Sequence, residues 1–497
     1  LISLWLMSTV IFIKWWFAWH HILTMWAYGL NTFLVLWSVA LPGYFFYFLM
    51  RMKIANPKIS VLPSWRVAMV VTRAPNEPFE LVKKTLLAMQ NQDFPLKYDV
   101  WLADECPNEE IYEWCCEYDI LISSRMGVSD YHRLTWPRRT KCKEGNLAYF
   151  YDMYGYERYD FVAQLDADHI PEKDYLKAMM RPFIDNRVGY VSAPSICDNN
   201  ADESWAARAR LYAEGSLHGP LQAGYSNNWA PLCIGSHYAV RTKALKEIGG
   251  LGPELAEDHS TTLMMNAYGW RGVHALDAIA HGDGPATFSD AMTQEFQWSR
   301  SLIVLLLTLT PKVLGKLPIH LKFQFLFAQM WYPIFAMVML MSWLLPLIAI
   351  VTGKPWVNVN YFEFMTFSIL PTFFSLLIMV WVKSLKVLRP VDAKIISWEF
   401  VLFQFARWPW VLWALVMAVV CLVSNRQIEF KVTPKGADVK RNVPLGVATP
   451  YILCSLISGS VVLIGTANPS TVGYYYFGIM NCFVYLLLIA VVGFKKS

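Results

Sequence analysis

Apolar runs long enough to cross a bilayer crowd the two ends of this chain, and the charged residues crowd its middle. That partition constrains the fold more than any motif does. A run of about 20 apolar residues can span hydrocarbon only as a helix, with every backbone polar group bonded within the segment. Of 497 residues, 55% are hydrophobic, 15% aromatic and only 16% charged, and the mean hydropathy is +0.32. A typical soluble domain is about 25% charged, so an ordinary soluble enzyme is excluded. The same figures exclude a disordered regulator, a collagen and a small disulfide scaffold. The chain reads as a membrane protein carrying one sizeable water-soluble domain.

Forty-three basic against 38 acidic residues give a net charge of +5, and no basic run suggests nucleic acid as a partner. The excess of Lys and Arg suits cytoplasmic flanks of membrane helices. The 9 cysteines show no metal-ligand spacing, Cys115 and Cys116 being simply adjacent, and Cys106, Cys142, Cys197 and Cys233 of the soluble stretch read as reduced cytosolic thiols.

Crossings are expected at 2–19, 22–49, 325–351, 362–382, 447–464 and 474–492. Arg51, Lys53 and Lys58 follow the second and set the next domain in the cytoplasm. The stretch 398–423 is apolar enough to cross, yet Lys383, Lys386, Arg389 and Lys394 precede it, and Arg426, Lys431, Lys435, Lys440 and Arg441 follow. With both flanks basic, it is expected to lie in the interface or to dip and return, a seventh crossing that breaks the charge rule being the alternative. The expectation is an integral protein of the plasma or inner membrane with six crossings and both termini cytoplasmic. Two N-terminal helices occupy 1–50, and a cytoplasmic domain 51–290. Interface helices, two crossings and the interfacial stretch fill 291–424; a loop covers 425–446, and two helices 447–497.

Between the apolar ends, short β-branched runs at 66–72, 99–103, 161–166 and 188–192 read as buried strands, with helices at 77–91 and 173–185. Alternating strands and helices predict an α/β, Rossmann-like domain with a mostly parallel sheet covered on both faces. Ligands of such sheets bind beyond the carboxyl ends of the strands. Asp104-Glu105 and Asp166-Ala167-Asp168 fall there. Two carboxylates so placed suit a divalent cation that also binds phosphates, although a turn or cap explains an isolated DxD equally well. Glu257-Asp258-His259 opens a helical pattern, which fits either helix capping or a general base.

Taken in order, these residues resemble the inverting family 2 glycosyltransferases, specifically the processive membrane synthases typified by cellulose synthase. Asn76-Glu77-Pro78 resembles the NEP element, and Asp104 the first motif aspartate, which contacts the nucleotide. Lys143-Glu144-Gly145-Asn146 is similar to KAGN, whose lysine holds diphosphate, and Asp166 and Asp168 to the metal-binding DxD. Cys233-Ile234-Gly235-Ser236 resembles the element lining the acceptor. Glu257-Asp258 resembles TED, with Ala256 in place of Thr, and its aspartate would be the catalytic base. Gln294-Glu295-Phe296-Gln297-Trp298 stands where the family has QxxRW, with Gln297 replacing an arginine. An amide cannot reproduce a guanidinium fork on diphosphate. Arg300, one helical turn on, is a candidate substitute, and heavier reliance on metal and Lys143 is the competing explanation. Phe430, Val432, Thr433 and Lys435 fit the FxVTxK gating loop that folds over the donor in the family.

The resemblance implies a glycosyltransferase A-type fold, Mg2+ or Mn2+ as cofactor, a UDP-sugar donor, a growing glucan chain and the lipid bilayer as partners. It leaves room for accessory proteins on the far side of the membrane. Trp298 would hold the acceptor by stacking, although a tryptophan packed at the membrane interface is the ordinary alternative. The expected activity is processive β-glucan synthesis from UDP-glucose with translocation, of β-1,3, β-1,4 or mixed linkage. A hyaluronan- or chitin-type synthase and a non-processive lipid-linked sugar transferase are the alternatives.

Overall fold

The computed structural model describes residues 1–58, 60–62, 64–235, 237–424, 443–465 and 469–494. The N-terminal apolar run folds as α1 (Ile2–Trp16) and α2 (Met25–Leu49), turning at His20-His21. The soluble domain contains β1 (Val67–Arg73), β2 (Tyr98–Asp104), β3 (Leu121–Ser123), β4 (Phe161–Asp166) and β5 (Ile170–Pro171). It continues through β6 (Val188–Ser192), β7 (Tyr238–Arg241), β8 (Arg271–His274) and β9 (Ala280–His281). Seven strands form one sheet in the order β3-β2-β1-β4-β7-β6-β8, while β5 and β9 pair separately. All pairings in the large sheet are parallel except those of β7, which runs against both β4 and β6. The α/β, mostly parallel architecture expected of the sequence is therefore the one present.

Two apolar layers hold this sheet. Successive strand residues point to opposite faces. Val67, Met69 and Val71 join Val82, Leu86 and Met89 of α3 (Phe79–Gln90) on one side. Ala68 and Val70 join Leu147 and Phe150 of α4 (Lys143–Phe150) on the other. Strands buried on both faces explain why β1 reads as an unbroken apolar run rather than an alternation. β4 and β6 have the expected bounds. The helix expected over 173–185 instead stops at Met180 and tightens into a 3-10 turn at Arg181–Ile184, because Pro182 supplies no backbone donor. β7 went unanticipated; four residues are too few for a periodic signal.

Two further helices pack on the domain, α5 (Trp205–Ser216) and α6 (Glu257–Ala267). After them come α7 (Phe288–Thr308), α8 (Ile319–Thr352), α9 (Tyr361–Ser384), α10 (Trp398–Ser424), α11 (Leu445–Ile464) and α12 (Val472–Phe494). Among the described residues six helices are long and apolar enough to cross a membrane: α2, α8, α9, α10, α11 and α12. Chosen by length and composition alone, this set includes α10, an unbroken helix of 27 residues expected to lie in the interface, and leaves out α1, whose 15 described helical residues fall within the first expected crossing.

Contacts order these helices about the domain. Lys53 N–H donates to Ala223 O (3.0 Å) just after α2. Arg389, between α9 and α10, donates to Leu276 O (2.8 Å) and pairs with Asp277 (3.1 Å). Those ends lie beside the domain. At the opposite end the turn between α1 and α2 meets the turn between α8 and α9, where Asn358 N–H donates to His21 O (2.9 Å). α10 runs alongside α7, with Arg407 facing Glu295 and with Leu415 and Ala418 packed on Ile303 and Val304. α7 is held to the domain at both ends, Phe288 stacking on Trp205 and Leu309 packing against the layer around Met264 and Met265.

The last turn of α2 rests on the domain so closely that a Cβ on Gly224 would sit 2.4 Å from Phe48 O. Gly224→Ala should therefore cost about 1–3 kcal/mol, the usual effect of overpacking. A fall of several degrees in the thermal midpoint of the detergent-solubilised protein is expected, and an unchanged midpoint would contradict this docking.

Candidate active site at the carboxyl edge of the sheet

Three adjacent strands end level with one another. Arg73 is in register with Asp104, and Thr72 with Asp166, so β2, β1 and β4 deliver their polar ends to one edge. Asp104 is fully buried and is matched there by Arg73 Nη1 at 2.9 Å. The Cys106 N–H also donates to it, at 2.9 Å. Arg73 Nε donates to Glu77 O (2.9 Å), and Glu77 Oε2 accepts from the Ala74 N–H (2.8 Å), closing the turn that carries the NEP-like residues. Glu105 pairs with the buried Arg125, whose guanidinium also donates to Tyr131 O and Arg139 O and so fastens the loop leading to α4.

Lys143, the first residue of α4, bonds the Asp166 carboxylate. Burial works against its charge, but Asp166, Glu257 and Asp258 together outweigh that and hold the ammonium above its ordinary pKa. The lysine is thus the cation around which three carboxylates from two elements gather. Glu257 and Asp258 form the first turn of α6. Loss of solvent pushes both carboxyls up, and the Lys143 charge opposes the shift. Asp258, half-buried, accepts two backbone donors, Gly235 N–H to Oδ2 and His259 N–H to Oδ1, each at 2.7 Å. Gly235 has φ +86, a left-handed backbone that a side chain would strain.

Asp168 is buried, its Oδ2 accepting from the Asp283 N–H (3.1 Å) and its Oδ1 lying 3.3 Å from His169 Nδ1. Asp166 keeps 33% of its side chain exposed at the strand end. Among the described residues no group of three or more His, Cys, Asp or Glu side chains makes a metal cage. Two hard carboxylate donors without a cage suit a cation that takes its other ligands from phosphates and water, so Asp166 and Asp168 fit a Mg2+ or Mn2+ ion of that kind.

The expected acceptor residues divide. Cys233 packs its side chain in the apolar layer and donates its backbone N–H to Thr262 Oγ1 (3.1 Å). Gly235 reaches the site through its backbone alone, and Ser236 lies outside the described residues. On α7, Gln297 is buried and Trp298 half-buried. The Arg210 guanidinium covers one face of the Trp298 ring at 4.3 Å and donates to Gln294 Oε1 (3.1 Å). One helical turn on, Ser301 Oγ accepts from the Ala256 N–H (3.0 Å), which ties α7 to the residue before Glu257. Arg300 faces Glu254 at 3.7 Å. Phe430, Val432, Thr433 and Lys435 lie outside the described residues.

Sequence reasoning missed Arg73, Arg125 and Arg210. Arg73 was within reach of it, being a charged residue at the end of an apolar strand. The other two meet their partners only through the tertiary fold.

A mostly parallel sheet with a DxD-bearing strand, a lysine and a helix-opening acidic pair at its carboxyl edge, joined to apolar helices, defines a membrane-integrated glycosyltransferase of the A type. The chain belongs to glycosyl transferase family 21, whose profile matches residues 132–398, just over half its length, and it is cellulose-synthase-like. It is 27% identical over 234 residues to the cellulose synthase catalytic subunit (UDP-forming) of Xanthomonas axonopodis pv. citri, an alignment covering 46% of this chain and 30% of that one. Cellulose synthase 2 of Novacetimonas hansenii is 22% identical over 401 residues, covering 79% of this chain and 23% of that one. The chain thus spans a third or less of the length of these relatives. A mannosyltransferase from Pyrobaculum calidifontis, solved with GDP-mannose and Mn2+, superposes with a TM-score of 0.48 at 14% identity, covering 80% of this chain and 100% of that one.

Removing one partner of a buried ion pair strands the other and costs about 3–5 kcal/mol, whereas replacing both with apolar groups costs far less. Arg73→Leu should therefore destabilise the domain strongly, and the double variant Arg73→Leu, Asp104→Leu should regain most of the loss. Equal thermal midpoints for the single and double variants would show that the pair is not coupled.

Proposed function

We propose that this protein polymerises a β-glucan from UDP-glucose at the cytoplasmic membrane face, by inverting and processive transfer, and leads the product through its own helices. The observation that carries the reading is that Lys143 bonds the Asp166 carboxylate at the end of β4 while Asp258, in the first turn of α6, is aimed by the Gly235 and His259 N–H groups. The basic residues Arg51, Lys53 and Lys58, on the domain side of α2, support a cytoplasmic domain. α10, flanked by α7 along its length, is taken as the interfacial helix.

In the reaction, Asp258 removes the proton from the acceptor hydroxyl as that oxygen attacks the anomeric carbon. Its raised pKa suits a base working near neutrality, and the Gly235 and His259 N–H groups fix the carboxylate's direction. The sugar–diphosphate bond breaks on the opposite side, so one displacement converts an α-linked donor into a β-linked product. Asp166 and Asp168 would hold Mg2+ or Mn2+, which when bound neutralises and orients the diphosphate. Lys143 adds a fixed positive charge beside the leaving group. Arg300 faces Glu254 at 3.7 Å, beyond hydrogen-bond distance, and its Nε has no hydrogen-bond partner among the described residues, so it stays a candidate substitute for the arginine absent at Gln297 beside heavier reliance on Lys143 and the cation. Trp298 would stack on the terminal sugar through the ring face opposite Arg210. The run Phe430, Val432, Thr433 and Lys435 supports the cellulose-synthase branch by its sequence.

Asp258→Asn should lower polymer formation by at least about a hundredfold, the range of general-base removal, while UDP-glucose still binds; wild-type turnover would remove Asp258 from this role. Chelation of divalent cations should stop UDP release in purified membranes, and added Mn2+ or Mg2+ should restore it. Full activity in excess EDTA would contradict the metal's part. Gln297→Arg should keep activity, and its total loss would assign the amide a function of its own.

A further inference from the structure

α8 is apolar over most of its 34 residues, yet where it meets the domain it carries two glutamines, Gln324 and Gln329, both wholly out of solvent. A buried amide lowers stability unless it is hydrogen-bonded, and here each is bonded through oxygen and nitrogen alike. Gln324 closes a pair with the backbone of Ala230, donating to Ala230 O at 2.7 Å and accepting from the Ala230 N–H at 3.0 Å. Gln329 Oε1 accepts from the hydroxyl of Thr310, just beyond α7, at 2.8 Å, which leaves its amide nitrogen facing His259 Nε2 at 3.2 Å. An amide nitrogen only donates, so this ring nitrogen accepts and the imidazole is neutral. Burial, which pushes His259 down to about 4, agrees.

The partners of the two glutamines lead to one carboxylate. Ala230 opens a stretch, 230–235, that forms neither helix nor strand, so its backbone takes its direction from other partners. Gln324 holds the start of it, Gln222 pairs with Leu232 through N–H and O at 2.8 and 2.7 Å, and Thr262 accepts from the Cys233 N–H. The stretch ends on Gly235, whose N–H donates to Asp258 Oδ2. His259, whose ring Gln329 holds, supplies the other N–H, to Oδ1. Between the glutamines in sequence, Phe325 meets the His259 ring edge to face at 5.8 Å. Packing does not call for amides here, because Leu321 and Phe325 already seat α8 on Leu232 and Leu263.

We infer that Gln324 and Gln329 are positioning residues for the transfer step: from α8 they hold the two backbone segments whose N–H groups aim the Asp258 carboxylate. The inference rests on the base role proposed above for Asp258 and adds what keeps that base in place. One helix, long and apolar enough to cross the membrane, thereby carries the mount of the reacting group.

The test uses the full purified chain with UDP-glucose, reading kcat, KM, donor binding and the thermal midpoint. Gln324→Met and Gln329→Met keep the length of the side chain and remove the amide. Each should lower kcat by about 10- to 100-fold, the effect of a reacting group displaced by about an ångström. KM and donor binding should stay within about twofold, because Lys143, Asp166 and Asp168 are untouched. Thr310→Val frees the Gln329 amide to turn without removing it; it should give a smaller loss of the same kind, and it decides the matter if a glutamine variant does not fold. In an Asp258→Asn background these changes should add little to the loss of residual turnover, since the group they aim is gone. An undiminished loss in that background, or a raised KM with a lowered midpoint, overturns the mount in favour of a general structural role. Wild-type kcat in the glutamine variants, with Asp258→Asn inactive, overturns the mount and leaves the base standing. Wild-type turnover in Asp258→Asn removes the base, and the mount with it.

Discussion

The site depends on one ammonium. Without Lys143, Asp166, Glu257 and Asp258 would face one another across a partly dehydrated strand edge, and like charges so placed cannot all stay ionised. With it, the cluster carries a balance of charge that a diphosphate and a divalent cation can enter. The lysine's position follows from the fold. Leu147 and Phe150 bury α4 against the second face of the sheet, Arg125 ties down the approaching loop, and the helix then starts where β4 ends. An apolar layer thereby sets a charged centre.

A second constraint links that centre to the membrane part. α7 touches the reacting region through Ser301 and Ala256, carries Trp298 beside Arg210, and then runs along α10 by way of Glu295 and Arg407. The loop between α9 and α10 is fastened to the domain by Arg389. Within about two turns, from Glu295 to Ser301, one helix meets α10, carries Trp298 and bonds the residue just before Glu257, which links the membrane helices to the reacting region. On the proposed reading, that is how growth at one end of a polymer and movement along its path stay in register.

Much of this was legible before the fold was known. The strands carrying Asp104 and Asp166 stand out because β-branched runs buried on both faces leave no other place for charge than their ends. The opening of α6 was visible as an acidic pair ahead of apolar spacing. What stayed hidden was partnership across distance. Arg210 finds Gln294 84 residues away, with no local pattern to mark it, and Arg407 reads as a wet face on an apolar helix until Glu295 is seen opposite. Cys233 shows the same limit: its motif is present in the sequence, but that its side chain packs in the apolar layer while Gly235 bonds Asp258 through its N–H is visible only in the fold. The number of helices able to cross agrees with the expected six but the set does not, because length and hydropathy alone admit α10, against which its basic flanks argued.

The central claim is a single inverting displacement in which Asp258 and the Lys143-centred cluster act on the same donor. It is tested most directly by the stereochemical course of transfer. UDP-glucose labelled with carbon-13 at the anomeric position should give a product whose new linkages show only the β-anomeric signal in NMR. A product with α-anomeric linkages would require a second displacement or a different face of attack, and would contradict the account.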